Sequence, residues 1–98
     1  MFNVIKRDGE VAAFQLSKIT QAIEKAFQAQ EKQYTPDMME MLGLRVTADF
    51  QKKVENDEIH VEDIQDSVER VLGQAGYEEV AKAYILYRKQ REKMRTMK

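Results

Sequence analysis

Apolar residues recur at helical spacing in four stretches of the chain. In the first stretch, Ile19, Ile23 and Phe27 follow one another at four-residue intervals, which gives a helix one apolar face. We predict Ser17 as the N-cap of this helix, because a serine hydroxyl can accept a hydrogen bond from a free amide of the first turn. Comparable rows follow later in the chain, and the predicted helices cover about 18–29, 36–55, 61–73 and 77–95.

The first fourteen residues follow a different pattern. Two short apolar segments flank Asp8 and Gly9, a pair that favours the two-residue type I′ turn of a β-hairpin. The prediction is a hairpin over residues 2–14. In the register that this turn sets, Val4 lies opposite Ala13 and Ile5 lies opposite Ala12.

A third strand is predicted at residues 58–60, just before the third helix. Two strands alone are marginally stable in water, so the hairpin must pack on the helices. The predicted fold is α+β and mostly α: a four-helix bundle capped by a small β-hairpin or three-stranded sheet. Residues 1–98 form one domain.

Composition excludes several kinds of chemistry. The chain has no cysteine, which removes disulfides, thiol nucleophiles and zinc ribbons, and its one histidine, His60, cannot build a metal site alone. No apolar run approaches the roughly 20 residues of a membrane span, and the first residues lack the apolar region typical of a signal peptide. We expect a cytoplasmic protein with no membrane partner and no catalytic residues of its own.

Charge is distributed unevenly along the chain. Residues 88–98 contain six Lys or Arg and one acid, whereas residues 1–87 carry an excess of six negative charges. A nucleic-acid binder is more uniformly basic, so no nucleic-acid partner is expected. The basic tail also suits the negative end of a helix dipole.

The start of the first predicted helix has an unusual charge. The second and third helices open with acids, whereas the first opens with Lys18 and has no acid before Glu24. Free amides at a helix N-terminus bind anions, and a phosphate would offset the cation there. A hairpin packed on this end brings Lys6 and Arg7 to the same place. These cations, with Lys89 as a fourth, are either solvated surface charges or a polyphosphate site, and their joint placement favours the site.

Three segments occur in a characteristic order and spacing: VIKRDGEVAAFQLSKI, IHVEDIQDSVERVL and GYEEVAKAYILYRKQRE. Together they resemble the ATP-cone, the nucleotide-sensing module of ribonucleotide reductases, over about residues 3–92. The resemblance implies a four-helix bundle capped by a small sheet. It also implies a regulatory domain that binds ATP, which permits reduction, or dATP, which switches the reductase off by changing its oligomeric state.

The resemblance also implies a site. It assigns phosphate contacts to four cations: Lys6, Arg7, Lys18 and Lys89. It assigns the adenine and ribose pocket to a mainly apolar set: Val4, Phe14, Gln15, Ile19, Val61, Ile64, Gln65 and Ile85. Gln15 stands where many members of the family have Asp or Asn. No metal site is formed by protein ligands alone, and any Mg²⁺ is expected to arrive with the triphosphate.

The expected partners are adenine nucleotides, the catalytic body of a host reductase and other cones in an oligomer. The ending of the chain most resembles the N-terminal cone of an anaerobic, glycyl-radical ribonucleoside-triphosphate reductase. We expect the chain to be a fragment, because its 98 residues contain the module and no radical or dithiol chemistry. One alternative is the nucleotide-sensing domain of a transcriptional repressor of reductase genes. Such a repressor carries a four-cysteine zinc ribbon, and this chain has no cysteine. The other alternative is a helical interaction module without a ligand.

The resemblance places Val61 beside the ribose. An apolar residue there leaves the 2′-hydroxyl of ATP poorly satisfied, so we predict tighter binding of dATP than of ATP. Regulation requires that the two ligands favour different states. We therefore expect a ligand-dependent rearrangement of the second to fourth helices that exposes or buries a docking surface containing Met38, Met39 and Met41.

Overall fold

Four helices and a small sheet make up the fold of the computed structural model, which describes the backbone of residues 2–96 and the side chains of residues 2–93. The helices are α1 (Leu16–Ala29), α2 (Pro36–Phe50), α3 (Val61–Gln74) and α4 (Glu78–Thr96). The strands are β1 (Asn3–Ile5), β2 (Val11–Ala13) and β3 (Glu58–His60). The predicted α+β, mostly helical fold with a three-stranded cap is confirmed.

The sheet has the strand order β2-β1-β3. Strand β1 is antiparallel to β2 and parallel to β3, with Val4 opposite Ile59 across the parallel pair. Strand β3 leads directly into α3, and His60 occupies the N-cap position of that helix with no side-chain capping bond. The start of α3 is thereby held beside the hairpin.

The predicted hairpin register is wrong by one residue. Val4 lies opposite Ala12, and Ile5 lies opposite Val11. The reason is the turn, which holds three residues between Lys6 and Glu10 because the Lys6 amide donates to the Glu10 carbonyl over 2.7 Å. Only the glycine of the predicted Asp-Gly pair has positive φ, at 90°. This three-residue loop with glycine in the left-handed region replaces the type I′ turn.

Helix α1 begins earlier than predicted. Its N-cap is Gln15, whose side chain makes no capping bond, and Ser17 lies within the first turn instead of capping it. The Lys18 amide already donates to the Gln15 carbonyl over 3.1 Å, so the chain turns helical directly after β2. Leu16 is then free to pack against the core and to lie over Gly43 of α2.

Helix α2 is shorter than predicted. It ends at Phe50, and Gln51–Lys53 form a 3₁₀ turn in place of the last predicted helical turn. Asn56 and Asp57 then adopt positive φ values of 53° and 60°, a conformation that these two residue types tolerate better than most. The turn reverses the chain into β3.

Helix α3 continues through Gly73 and ends in a Schellman motif. The Tyr77 amide donates to the Leu72 carbonyl and the Gly76 amide to the Gly73 carbonyl, while Gly76 has a φ of 89°. The predicted termination near these glycines is confirmed to within a residue.

The core lies between the four helices. Its fully buried side chains include Phe27, Phe50 and Leu42. Aromatic rings fix the hairpin to this core. Phe2 and Phe14 stack with their ring centroids 4.5 Å apart, and each centroid lies within 5.7 Å of the Phe50 centroid in a T-shaped arrangement. The aromatic contacts explain how so short a hairpin persists.

Candidate functional site

A cavity of about 390 Å³ opens between the hairpin, α1, the start of α3 and α4. The hairpin contributes Val4, Lys6 and Phe14 to the lining, and Phe14 also takes part in the ring contacts beneath the hairpin. Val4, Ile19 and Ile64 provide apolar surface, while cations and amide side chains surround it. The cavity therefore combines an apolar interior with a polar and positively charged margin.

The wall from α1 follows one face of the helix. Lys18, Ala22 and Lys25 are spaced by three and four residues, and all three line the cavity together with Gln21. The first turn of α1 contains no acid and receives no bond from the Gln15 side chain. Its free amides and Lys18 make this end of the cavity suited to an anion.

The opposite wall comes from α4. Tyr84, Tyr87 and Arg91 also follow helical spacing, and all three line the cavity. Lys25 lies 5.6 Å from the centroid of the Tyr87 ring, and the guanidinium carbon of Arg91 lies 5.9 Å from it. Both cations contact the ring face, an arrangement that stabilises positive charge without a carboxylate. Burial raises the pKa of Tyr84 well above its ordinary value, so this phenol is neutral.

The lining has a large excess of positive charge. It includes a single carboxylate, Glu92, and the following cations: Lys6, Arg7, Lys18, Lys25 and Arg91. Across the side chains described, residues 2–93, neither Lys6 nor Lys18 forms an ion pair with an acid. Two of the cations at the margin thus lack an internal counter-charge.

Arg7 is an exception among these cations. Its guanidinium donates to Glu62 over 3.1 Å and to Gln65 over 3.0 Å, and it lies 3.7 Å from Glu92. The side chain is 21% exposed, against 56% for Glu62 and 51% for Glu92. Arg7 therefore joins the hairpin turn to the start of α3 and to the later part of α4.

Ten of the twelve residues predicted for the site line the cavity. The structure brings together the following: Val4, Lys6, Arg7, Phe14, Gln15, Lys18, Ile19, Val61, Ile64 and Gln65. Lys89 and Ile85 are not part of the lining. At about 100° per residue, Lys89 points nearly opposite to Arg91 on α4, and Arg91 is the cation that reaches the cavity.

Sequence reasoning missed all four residues of the α4 wall. It did not find Tyr84, Tyr87, Arg91 and Glu92, nor Gln21 and Lys25 on α1. A signal for them exists in the sequence, because residues 84, 87 and 91 share one helical face, as do 18, 22 and 25. The sequence does not show which of these faces lies against another helix. That information comes only from the packing of α1 against α4.

Metal-ligand clusters and membrane-spanning helices are both absent from the part of the chain that the structure describes. Residues 2–96 include no cluster of three or more His, Asp or Glu side chains able to hold a metal ion. Within the same residues, no helix is both long enough and apolar enough to cross a membrane.

Comparisons with known proteins agree with this architecture. The family profile of the ATP cone domain matches residues 2–93. The chain is 43% identical to the ribonucleoside-diphosphate reductase subunit alpha of Chlamydia pneumoniae, over 97% of the chain and 10% of that protein. It is 38% identical to a vitamin B12-dependent ribonucleoside-diphosphate reductase of Mycobacterium tuberculosis, over 97% of the chain and 13% of that protein.

An anaerobic ribonucleoside-triphosphate reductase of Haemophilus influenzae is 37% identical over 93% of the chain and 13% of its own length. The chain thus spans about a tenth of the length of the curated relatives that it matches. The predicted resemblance is confirmed, and so is the expectation of a regulatory domain instead of a catalytic one. With the family profile covering nearly the whole sequence, the chain belongs to the ATP-cone family of nucleotide-binding regulatory domains.

Proposed function

We propose that this chain binds ATP or dATP in the cavity between the hairpin, α1 and α4, and that the bound nucleotide controls the activity of a ribonucleotide reductase. The observation that carries the proposal is the excess of cations around an apolar cavity of about 390 Å³, at a helix N-terminus without an acid. A nucleotide has the matching chemistry, because it joins an apolar base to a polyanion.

The triphosphate occupies the margin of the cavity beside the hairpin turn. Lys6, Arg7 and Lys18 contact its oxygens, together with the free amides of the first turn of α1. Arg91 supplies the cation from α4, the role that the family resemblance gave to Lys89. Mg²⁺ accompanies the phosphates, whose oxygens are the ligands that this ion prefers.

The adenine ring occupies the apolar part of the cavity. Val4, Ile19 and Ile64 line it from β1, α1 and α3. Gln15 at the N-cap of α1 and Gln65 on α3 carry amide groups that can pair with base or sugar. Val61 is half-buried in the lining at the start of α3. Placed beside the ribose, it favours dATP over ATP because it offers no partner to the 2′-hydroxyl.

Regulation then works through assembly. ATP permits activity and dATP inhibits it by changing how the domain meets another cone or the catalytic body of the host. The predicted docking surface is wrong in one residue, because Met39 is only 4% exposed and belongs to the core. Met41 and Leu44 on α2 are each more than half exposed, and they provide the apolar part of the proposed contact.

Titration calorimetry of the 98-residue chain with ATP and with dATP tests the binding proposal. We expect saturable binding of both nucleotides with micromolar or tighter affinity, and a lower Kd for dATP. Absence of heat, together with an unchanged melting temperature in the presence of either nucleotide, would contradict the proposal and favour an interaction module without a ligand.

The regulatory part of the proposal needs the intact host reductase. Light scattering of that protein with saturating ATP and with saturating dATP compares the two assemblies. Different masses support control through oligomeric state. Identical assemblies would contradict that mechanism even where both nucleotides bind.

A further inference from the structure

Glu92 is the one carboxylate in a cavity lining that otherwise carries only positive and neutral side chains. Its carboxylate lies 3.7 Å from the Arg7 guanidinium, and Arg7 is one of the cations proposed to hold phosphate. A negative group at this position opposes the entry of an anion. Its ion pair also neutralises part of the guanidinium charge that the anion would use.

The geometry around Arg7 shows which of its carboxylate partners competes with a ligand. Glu62 accepts a hydrogen bond from Arg7 over 3.1 Å, but it is not part of the cavity lining. Glu92 faces the cavity from α4, one residue beyond Arg91. An anion in the cavity therefore meets the Glu92 carboxylate directly, while the bond to Glu62 can persist on the outer side of Arg7.

From this geometry we infer that Glu92 is an internal competitor of the nucleotide phosphates, which sets the affinity and the charge preference of the site. With the cavity empty, the carboxylate neutralises part of the charge on Arg7. A polyphosphate displaces the Glu92 carboxylate from Arg7, because it offers several oxygens and more negative charge than one carboxylate. Glu92 then turns outward into solvent, which its 51% exposure permits. The inference rests on the proposed nucleotide binding.

The exchange also couples the cavity to α4. The ion pair between Arg7 and Glu92 joins the hairpin turn to α4. Its loss on binding weakens the connection between the hairpin turn and the later part of α4. Ligand binding in the cavity therefore changes the contacts of α4, a helix that forms part of the bundle surface.

Calorimetry on Glu92→Gln tests the competition, in buffer with a chelator so that no divalent ion bridges carboxylate and phosphate. The probes are ATP, adenosine monophosphate and inorganic triphosphate. We expect ATP and triphosphate to bind the variant about two- to fivefold more tightly than wild type, the range typical of one half-exposed charge interaction. The gain should be smaller for the monophosphate, which carries less charge.

Two further variants isolate the cause. Glu79→Gln removes a carboxylate from the same helix, about 20 Å along its axis from Glu92, and should leave every Kd unchanged. Arg7→Ala should reduce the gain from Glu92→Gln, because the competition acts through the guanidinium. A thermal melt of each variant confirms that the fold is retained.

The outcomes separate the inference from the proposed function. Unchanged or weaker ATP binding in Glu92→Gln, with normal binding by wild type, overturns the inference alone. An equal gain from Glu92→Gln in the presence and absence of Arg7 overturns the competition as well. If neither wild type nor Glu92→Gln binds ATP or triphosphate, the proposed function fails, and the inference fails with it.

Discussion

Cations in two regions of the molecule meet different partners. At the seams around α3, Arg88 donates to Asp66 over 2.8 Å and to Glu69 over 2.6 Å. Arg70 likewise donates to Asp49 of α2 over 3.1 Å. In the cavity beside α1, by contrast, Lys6 and Lys18 have no acidic partner among the described side chains.

The difference separates structural charges from charges available to a ligand. A paired arginine between helices contributes to folding, and its loss leaves carboxylates without a counter-charge. A cation without a partner at the margin of an apolar cavity contributes little to folding, so an external anion can use its full charge. Substitutions in the two regions should therefore affect different measurements.

The largest expected effect is on nucleotide binding. Replacing both Lys6 and Lys18 by alanine should weaken ATP and dATP binding by about 1.5–3 kcal/mol for each cation, because each removes a charge-assisted hydrogen bond. The melting temperature should barely change. Calorimetry measures the loss, with Lys82→Ala on the exposed part of α4 as the control. Full ATP affinity in the double variant would show that the cavity margin does not hold the phosphates.

Where α4 packs on α3, a substitution should reduce stability and leave ATP affinity nearly unchanged. Arg88 is 17% exposed, and Arg88→Ala leaves two carboxylates facing the helix seam. We expect a loss of about 1–3 kcal/mol in the free energy of unfolding and little change in the Kd for ATP. Chemical denaturation and calorimetry measure the two quantities. Arg88→Lys keeps a positive charge and should lose less stability. A large loss of ATP affinity with unchanged stability would reverse the comparison.

A smaller effect distinguishes two neighbouring cations of α4. Arg91→Ala should weaken ATP binding by about 1 kcal/mol, the upper range for an exposed charge interaction. Lys89→Ala should leave ATP binding unchanged, because Lys89 does not line the cavity. Equal losses in the two variants would mean that α4 rotates when nucleotide binds. A loss confined to Lys89→Ala would contradict the placement of the triphosphate.

The smallest effect concerns acid stability. Hydrogen bonds from Arg70 hold the pKa of Asp49 below its ordinary value of 3.8. The ionised form therefore stabilises the fold above about pH 4, and this contribution disappears as the pH falls through the lowered pKa. Asp49→Asn should have a lower free energy of unfolding than wild type at pH 7. The difference between the two proteins should become smaller towards pH 2. A difference in free energy of unfolding that does not change with pH would show that the charge of Asp49 does not contribute to stability.

The sequence predicted the fold better than the site. Helical periodicity located all four helices, because rows such as Ile19, Ile23 and Phe27 require one buried face. The errors fell where one residue changes local geometry, as at the turn before Glu10 and the cap at Gln15. There, hydrogen bonds to specific backbone atoms decide the outcome, and periodicity does not reveal them.

The cavity lining was predicted most accurately where it is local in sequence. Lys6, Arg7 and Lys18 were found because the hairpin leads directly into α1. The α4 wall was predicted less well, since the face of α4 that meets α1 depends on packing across the bundle. Lys89 was included as a fourth cation and then matched to a family motif, whereas Tyr87 and Arg91 occupy the face of α4 that lines the cavity.

The most direct test of the central claim is a map of ATP binding by backbone amide NMR on the wild-type chain. We predict that the largest shifts occur at the hairpin turn, the first turn of α1, Gln65 and Arg91, and that they saturate with the Kd found by calorimetry. The same titration of the Lys6→Ala, Lys18→Ala double variant should need far more ATP. Largest shifts on the outer face of α2, around Met41 and Leu44, with none at the cavity, would contradict the account.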